Sequence, residues 1–164
     1  MTSIISDSSL PIPLSEPVIR GNEWKYVKEC LDTGWVSSVG SFVNQFEENI
    51  AQYLGVLHAV AVVNGTAALQ LALIVAGVKG DDEVLVPTLT FIAPVNTVRY
   101  LGAHPVFMDC DPATACLNVE SVGKFFKEEC EKRVDGYTYN KKTGRRIAAI
   151  IPVDVFGQPV PETV

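Results

Sequence analysis

Asn64-Gly65-Thr66-Ala67 turns an apolar run, Ala59-Val60-Ala61-Val62-Val63, into an apolar helix with nothing bulky at the corner. The first N–H groups of a helix lack intrahelical partners, and the helix dipole adds positive potential there, so such a corner can take an anion. Gly65 would let a phosphate approach the backbone closely. The Thr66 hydroxyl could bond that phosphate or cap the helix, and the small side chain of Ala67 leaves room. A plain N-cap with tight helix–sheet packing would use the same residues, and no Gly-Lys-Ser/Thr follows, so this is not a full P-loop. Pro87-Thr88-Leu89-Thr90-Phe91 is the next candidate. A phenylalanine beside a phosphate cup could cover the face of a flat aromatic ligand, or it could belong to the core. Asp109 and Asp111 flank Cys110. Such an acidic pair can hold a divalent metal carrying a diphosphate, yet Asp111-Pro112 is also an ordinary turn opening.

The remaining metal-ligating residue types carry less. Cys30, Cys110, Cys116 and Cys130 form no Cys-x-x-Cys pair, and His58 and His104 stand alone, so the spacing of a zinc site is absent. The four thiols suit a reducing cytosol, and a cytoplasmic location is expected. Residues 133–146, Arg133 to Arg146, bring together Lys132, Arg133, Lys141, Lys142, Arg145 and Arg146. That cluster could attract an anion or could be a solvated surface loop. The chain as a whole is acidic, with 13 basic and 19 acidic residues and a net charge of −6, which argues against a general nucleic-acid surface. No apolar run approaches the roughly 20 residues that span a bilayer, so no membrane partner is expected.

These candidates need a frame. Of the 164 residues, 48% are hydrophobic and 20% charged, as in a globular domain with a real core. Residues 1–20, rich in Ser and Pro, read as an extended arm. Helices are expected over 21–31 and 42–54, the second closed by Gly55. The chain then alternates: strand 59–63, helix 66–76, strand 83–86, helix 91–101, strand 105–108, helix 119–132 and strand 147–153. The segment between the last two is expected to be a hairpin-like excursion turning near Thr143-Gly144. Alternation of this kind predicts an α/β fold, a mostly parallel sheet between helices, with ligands at the carboxyl ends of its strands. His104 is expected to be structural, at a strand start. The chain stops just after a strand, which suggests an N-terminal piece of a longer protein.

Six stretches, in order, resemble the DegT/DnrJ/EryC1/StrS family of pyridoxal-phosphate-dependent sugar aminotransferases: LSEPVIRGNEW, TGWVSSVGSFVNQFEENIAQYLG, AVVNGTAALQLAL, DDEVLVPTLTFIAPVNTV, HPVFMDCD and IIPVDVFGQP. The resemblance implies the N-terminal part of a fold-type I (aspartate aminotransferase-like) large domain, with residues 1–20 as the arm and 21–164 as an incomplete domain. It implies pyridoxal 5'-phosphate as cofactor, held at its phosphate by Gly65, Thr66 and Ala67 and stacked on by Phe91. Trp35, Val36, Ser37 and Ser38 match the loop that lines the nucleotide-sugar site. The WVSSVG loop and the NKKTGRRI excursion resemble the branch that acts on UDP-linked 4-keto-6-deoxy N-acetylated hexoses, as in legionaminic acid biosynthesis. Glutamate would donate the amine, and a homodimer is expected.

The resemblance also implies what is missing. The family's cofactor-bearing lysine and the aspartate beneath the pyridine nitrogen fall beyond residue 164. Lys79, Lys124 and Lys127 do not match, so no catalytic residue is assigned and the chain alone is expected to be inactive. Asp154 stands where many relatives have His, and it is given no role. Two rival readings remain: an inert truncated or degenerate subunit, and a metal-dependent nucleotide-sugar glycosyltransferase using Asp109 and Asp111.

Overall fold

Strict alternation along one short strand organises the larger part of the molecule. In the computed structural model, which describes residues 13 and 15–160, strand β1 spans Glu83–Pro87 and all five of its residues are buried. Side chains of a strand point to opposite faces in turn. Val84 and Val86 therefore join one cluster, with Leu73, Val78, Val98, Ala103 and Ile151. Leu85 joins the other, with Met108, Leu117 and Val122. A strand covered on both faces reads as a continuous apolar run, and β1 is the centre of its sheet.

The chain divides into two compact units, residues 1–61 and residues 62–164. In the first unit, α1 is Glu23–Thr33 and α2 is Ser41–Leu54. Gly34 and Gly55 close them in the left-handed conformation, with φ of 75° and 68°, which glycine adopts without steric cost. Tyr26 meets Phe42 edge-on at 5.1 Å. Most of the expected arm, 1–20, and the last four residues lie outside the described residues.

The second unit runs α3 (Gly65–Val75), β1, α4 (Ile92–Tyr100), β2 (His104–Met108), α5 (Val119–Glu129), β3 (Cys130–Lys132), β4 (Thr138–Asn140) and β5 (Ile147–Ile150). The sheet order is β2-β1-β5, and both pairings are parallel. β3 and β4 form a separate antiparallel pair. Among the described residues no helix is long and apolar enough to cross a membrane.

Four expectations are corrected. Residues 59–63 form no strand. A strand exists through its pairing, no described strand pairs with this segment, and Val60 and Val63 stand 76% and 89% exposed. The helix expected to reach residue 132 ends at Glu129, because Cys130 turns extended and Cys130–Lys132 pair with Thr138–Asn140. The excursion makes its hairpin turn at Gly136, at φ 86°, while Gly144 serves a second turn that leads into β5. The last strand is also shorter than expected and stops at Ile150.

Two polar contacts tie this hairpin to the amino end of β1. The Asn140 amide donates to buried Glu83 across 2.9 Å. Arg146 forms a two-point pair with Asp82, its Nε donating to Oδ1 at 3.0 Å and its Nη2 to Oδ2. Burial pushes the Asp82 carboxyl up, but hydrogen bonds from Arg146 and from the Lys79 amide outweigh it and hold the group below the usual carboxylate range.

Candidate functional site

The amino end of α3 is built by Asn64, not by Thr66. Asn64 takes the N-cap position with extended backbone, and its Oδ1 accepts the Ala67 N–H at 2.9 Å. Asn is among the preferred cap residues, since its side chain satisfies one of the orphan donors. The cap function expected of Thr66 thus belongs to the residue two places earlier. The Gly65 and Thr66 amides and the half-buried Thr66 hydroxyl remain uncommitted among the described residues.

Gly65 is informative here. Its backbone is helical rather than left-handed, and a Cβ added to it would meet nothing within 4 Å. Neither conformation nor packing within the unit calls for a glycine. What glycine supplies here is open space beside a helix start whose first N–H groups are free, which fits a phosphate oxygen approaching the backbone.

The second component is the rim at the carboxyl end of β1. Thr88 extends the pairing one step, its N–H donating to Met108 O at 3.0 Å. Phe91 then takes the N-cap position of α4 and is 77% exposed, so it is not a core residue of this unit. Just before it, the Thr90 hydroxyl is buried with no hydrogen-bond partner. Buried polar groups are nearly always paired, so an orphan hydroxyl next to an exposed aromatic ring marks a surface that suits a ligand. The sequence places Thr90 in the Pro87–Phe91 candidate stretch without a role for its hydroxyl, because a threonine in a turn gives no pattern of its own. α3 and α4 share the Leu73–Val98 core cluster, so corner and rim belong to the same compact unit.

Trp35, Val36, Ser37 and Ser38 lie in the first unit, on the loop between α1 and α2. Trp35 and Val36 are 58% and 69% exposed, and the Trp35 side chain lies against Gly40, where a Cβ would stand 3.5 Å away. Val36 also lines an apolar groove with Tyr26, Leu31, Phe42 and Phe46.

Other candidates are absorbed by structure. Asp111 accepts the Ala113 and Thr114 amides at 2.8 and 3.0 Å. Its carboxyl is held low by those N–H groups, Thr114 first. It is a turn residue, and among the described residues no three His, Cys, Asp or Glu side chains gather to hold a metal. His104 opens β2 and bonds Asp81 at 2.9 Å. Asp154 accepts the Val160 N–H at 3.0 Å, closing the loop that follows β5. The basic cluster of the excursion is largely paired internally. Arg133 bonds Glu131 and lies over Tyr139, Lys141 donates to Glu128 O, and Arg145 faces Asp81. It also sits at the amino end of β1, a strand length of about 13 Å from the Phe91 rim, so it does not join the phosphate corner.

Comparison with known proteins identifies the family and the fold. Residues 17–162 match the DegT/DnrJ/EryC1/StrS aminotransferase family. A GDP-perosamine synthase of Caulobacter vibrioides is 43% identical over 152 residues, which cover 92% of this chain and 36% of that protein. A DegT DnrJ EryC1 StrS aminotransferase from Brucella abortus superposes with a TM-score of 0.69 at 35% identity, over 84% of this chain and 34% of the other. The PMP form of a putative sugar aminotransferase from Streptococcus pneumoniae gives 0.72 at 27% identity, over 91% and 33%. The chain spans about a third of the length of these relatives.

Proposed function

Since this chain belongs to the DegT/DnrJ/EryC1/StrS aminotransferase family, we propose that it forms the phosphate- and ring-binding part of a pyridoxal-phosphate-dependent enzyme. That enzyme moves an amino group from glutamate to C4 of a nucleotide-linked 4-keto-6-deoxy sugar. The observation that carries the reading is the corner of α3, where two amides without intrahelical partners, an uncommitted hydroxyl and a glycine with open space beside it follow one another. On this reading Gly65, Thr66 and Ala67 hold the cofactor phosphate and Phe91 covers one face of the ring. Trp35, Val36, Ser37 and Ser38 line the sugar-nucleotide site. The bound cofactor supplies an electron sink at the carbon that carries the amine. Residues 21–164 are then an incomplete large domain, and the enzyme is a cytoplasmic homodimer.

Phe91→Ala should loosen pyridoxal phosphate by roughly two- to tenfold, the worth of an offset aromatic pair. Because Phe91 is 77% exposed, the cavity cost of a truncated core Phe should not arise, and apo melting should stay unchanged. Lower apo stability with unchanged cofactor affinity would return Phe91 to the core.

For the sugar, the resemblance of the 35–38 loop and the excursion favours UDP. The Caulobacter vibrioides relative is named for a GDP sugar, which makes GDP the second reading. Amino transfer to UDP-, GDP- and dTDP-linked 4-keto-6-deoxy sugars, compared in a full-length protein carrying this chain, decides between them. Preference for dTDP would reject both and leave the family intact. The 164-residue chain alone should transfer no amine to any of them, and turnover by it would overturn that part of the reading.

A further inference from the structure

The turn that presents Phe91 is held by a sulfur atom. Thr88, Leu89 and Thr90 connect the carboxyl end of β1 to Phe91 at the start of α4. Within this turn the Leu89 N–H donates to Cys110 Sγ at 3.4 Å, and the Thr88 hydroxyl lies 3.5 Å from the same sulfur. Among the described residues these are the turn's only side-chain contacts by hydrogen bond. The Thr90 hydroxyl, buried beside them, has none.

Cys110 is itself firmly placed. It lies two residues past β2 and bridges to Leu117. Its neighbours are pinned as well: Asp109 O accepts the Asn118 N–H at 2.9 Å, and the Asp111 N–H donates to Cys116 O at 2.8 Å. Leu117 and Met108 belong to the core cluster that packs against Leu85 of β1. The sulfur thus stands on a hydrogen-bonded segment beside the core and reaches across to the rim, a turn with an exposed aromatic at its end. Sulfur is a large, soft acceptor that tolerates long contacts, and a single atom here meets both a backbone amide and a hydroxyl.

We propose that Cys110 is a positioning residue of the cofactor site: through Leu89 and Thr88 it fixes the turn that sets the Phe91 ring over the pyridoxal phosphate. The inference rests on the reading given above for Phe91. Cys110 does not touch the cofactor. It limits where the ring of Phe91 can go, so that less freedom is lost when the ring is covered. The other thiols have different surroundings. Cys116 donates to Gln158 O at 3.1 Å and is buried, Cys130 is buried, and Cys30 lies in the first unit.

The test uses a full-length protein carrying this chain, with Cys110→Ala, Cys110→Ser, Phe91→Ala and the double variant Cys110→Ala/Phe91→Ala. Hydrogen exchange of the peptide carrying Leu89 reads the clamp without any ligand. Pyridoxal phosphate and inorganic phosphate, titrated separately, read the site. Cys110→Ala should speed exchange at Leu89 and weaken pyridoxal phosphate by up to the two- to tenfold expected of Phe91→Ala. It should leave inorganic phosphate unaffected, because the Gly65 corner is intact. Cys110→Ser, which keeps an acceptor, should recover part of both losses. In the double variant, removing the thiol should add nothing once the ring is gone. Unchanged exchange at Leu89 overturns the clamp. Faster exchange with unchanged pyridoxal phosphate affinity, or losses that simply add in the double variant, overturns the positioning role while the cofactor reading stands. Failure of the unsubstituted full-length protein to bind pyridoxal phosphate overturns the cofactor reading and this inference with it.

Discussion

Arg146→Ala should cost the second unit about 3 kcal/mol of stability, the low end for breaking a buried ion pair by removing one partner. The side chains of Arg146 and Asp82 are 18% and 10% exposed, so little water is available to replace the lost guanidinium. Arg146 also donates to Gly77 O at 2.7 Å and lies over the Tyr137 ring at 4.9 Å. One truncation therefore unties the start of β5, the loop after α3 and the hairpin together. Asp82 keeps only the Lys79 N–H, at 2.7 Å. Urea unfolding followed by far-UV circular dichroism is the measurement. Tryptophan fluorescence would not serve, because Trp24 and Trp35 both belong to residues 1–61. A loss below about 1 kcal/mol, typical of a surface pair, would sink the expectation.

The same pair sets a pH dependence. Asp82 is held below the usual carboxylate range in the folded state, although burial by itself pushes it up. A group depressed on folding contributes stability that is present above its unfolded pKa of about 3.9 and lost as pH falls through the folded value. The gap between the unsubstituted chain and Arg146→Ala should therefore be full at neutral pH and narrow below about pH 4. A gap that widens on acidification would show that Asp82 is not ionised through Arg146.

How much of this was legible in the sequence depends on where each element finds its partners. β1, α3 and α4 were legible because their apolar residues meet one another nearby: Val84 and Val86 pack with Leu73 and Val98. Residues 59–63 carry an equally apolar pattern and yet remain unpaired among the described residues, because composition signals that a segment wants cover and cannot say what supplies it. Cys130–Lys132 was read as helix since Cys, Glu and Lys continue the preceding pattern, whereas the strand arises from pairing across a turn that only Gly136 marks. At the candidate site, Gly65 and Thr66 were legible as residues that open a helix, and Phe91 as a residue just past a strand end. Asn64 as the cap, Thr90 as the orphan hydroxyl and Cys110 as the clamp were not. Asn64 and Cys110 act through contacts to particular residues, Cys110 across 21 positions to Leu89, Thr90 is marked by a partner it lacks, and neither leaves a periodicity to read.

Thr66→Val should weaken phosphate and pyridoxal phosphate binding by roughly ten- to a hundredfold, since a hydrogen bond to a charged group is worth about 1.5–3 kcal/mol. The geometry separates this from a structural effect. Asn64 already caps α3 by accepting the Ala67 N–H, so the Thr66 hydroxyl is not needed to start the helix. Valine keeps the β-branched shape and the same stiffness at χ1, so Thr66→Val should leave melting nearly unchanged. Asn64→Ala is the complement: removing the cap should lower stability by about 1 kcal/mol. It should also free the Ala67 amide, so any effect on phosphate is expected to be smaller than that of Thr66→Val. Titration of both variants with inorganic phosphate and with pyridoxal phosphate, alongside thermal melting, reads the two roles independently. If Thr66→Val lowers melting as Asn64→Ala does and leaves both affinities unchanged, the hydroxyl is a structural group and the phosphate assignment at this corner fails. If affinity falls and melting holds, the corner at Gly65 is shaped for an anion, with the helix start left to Asn64.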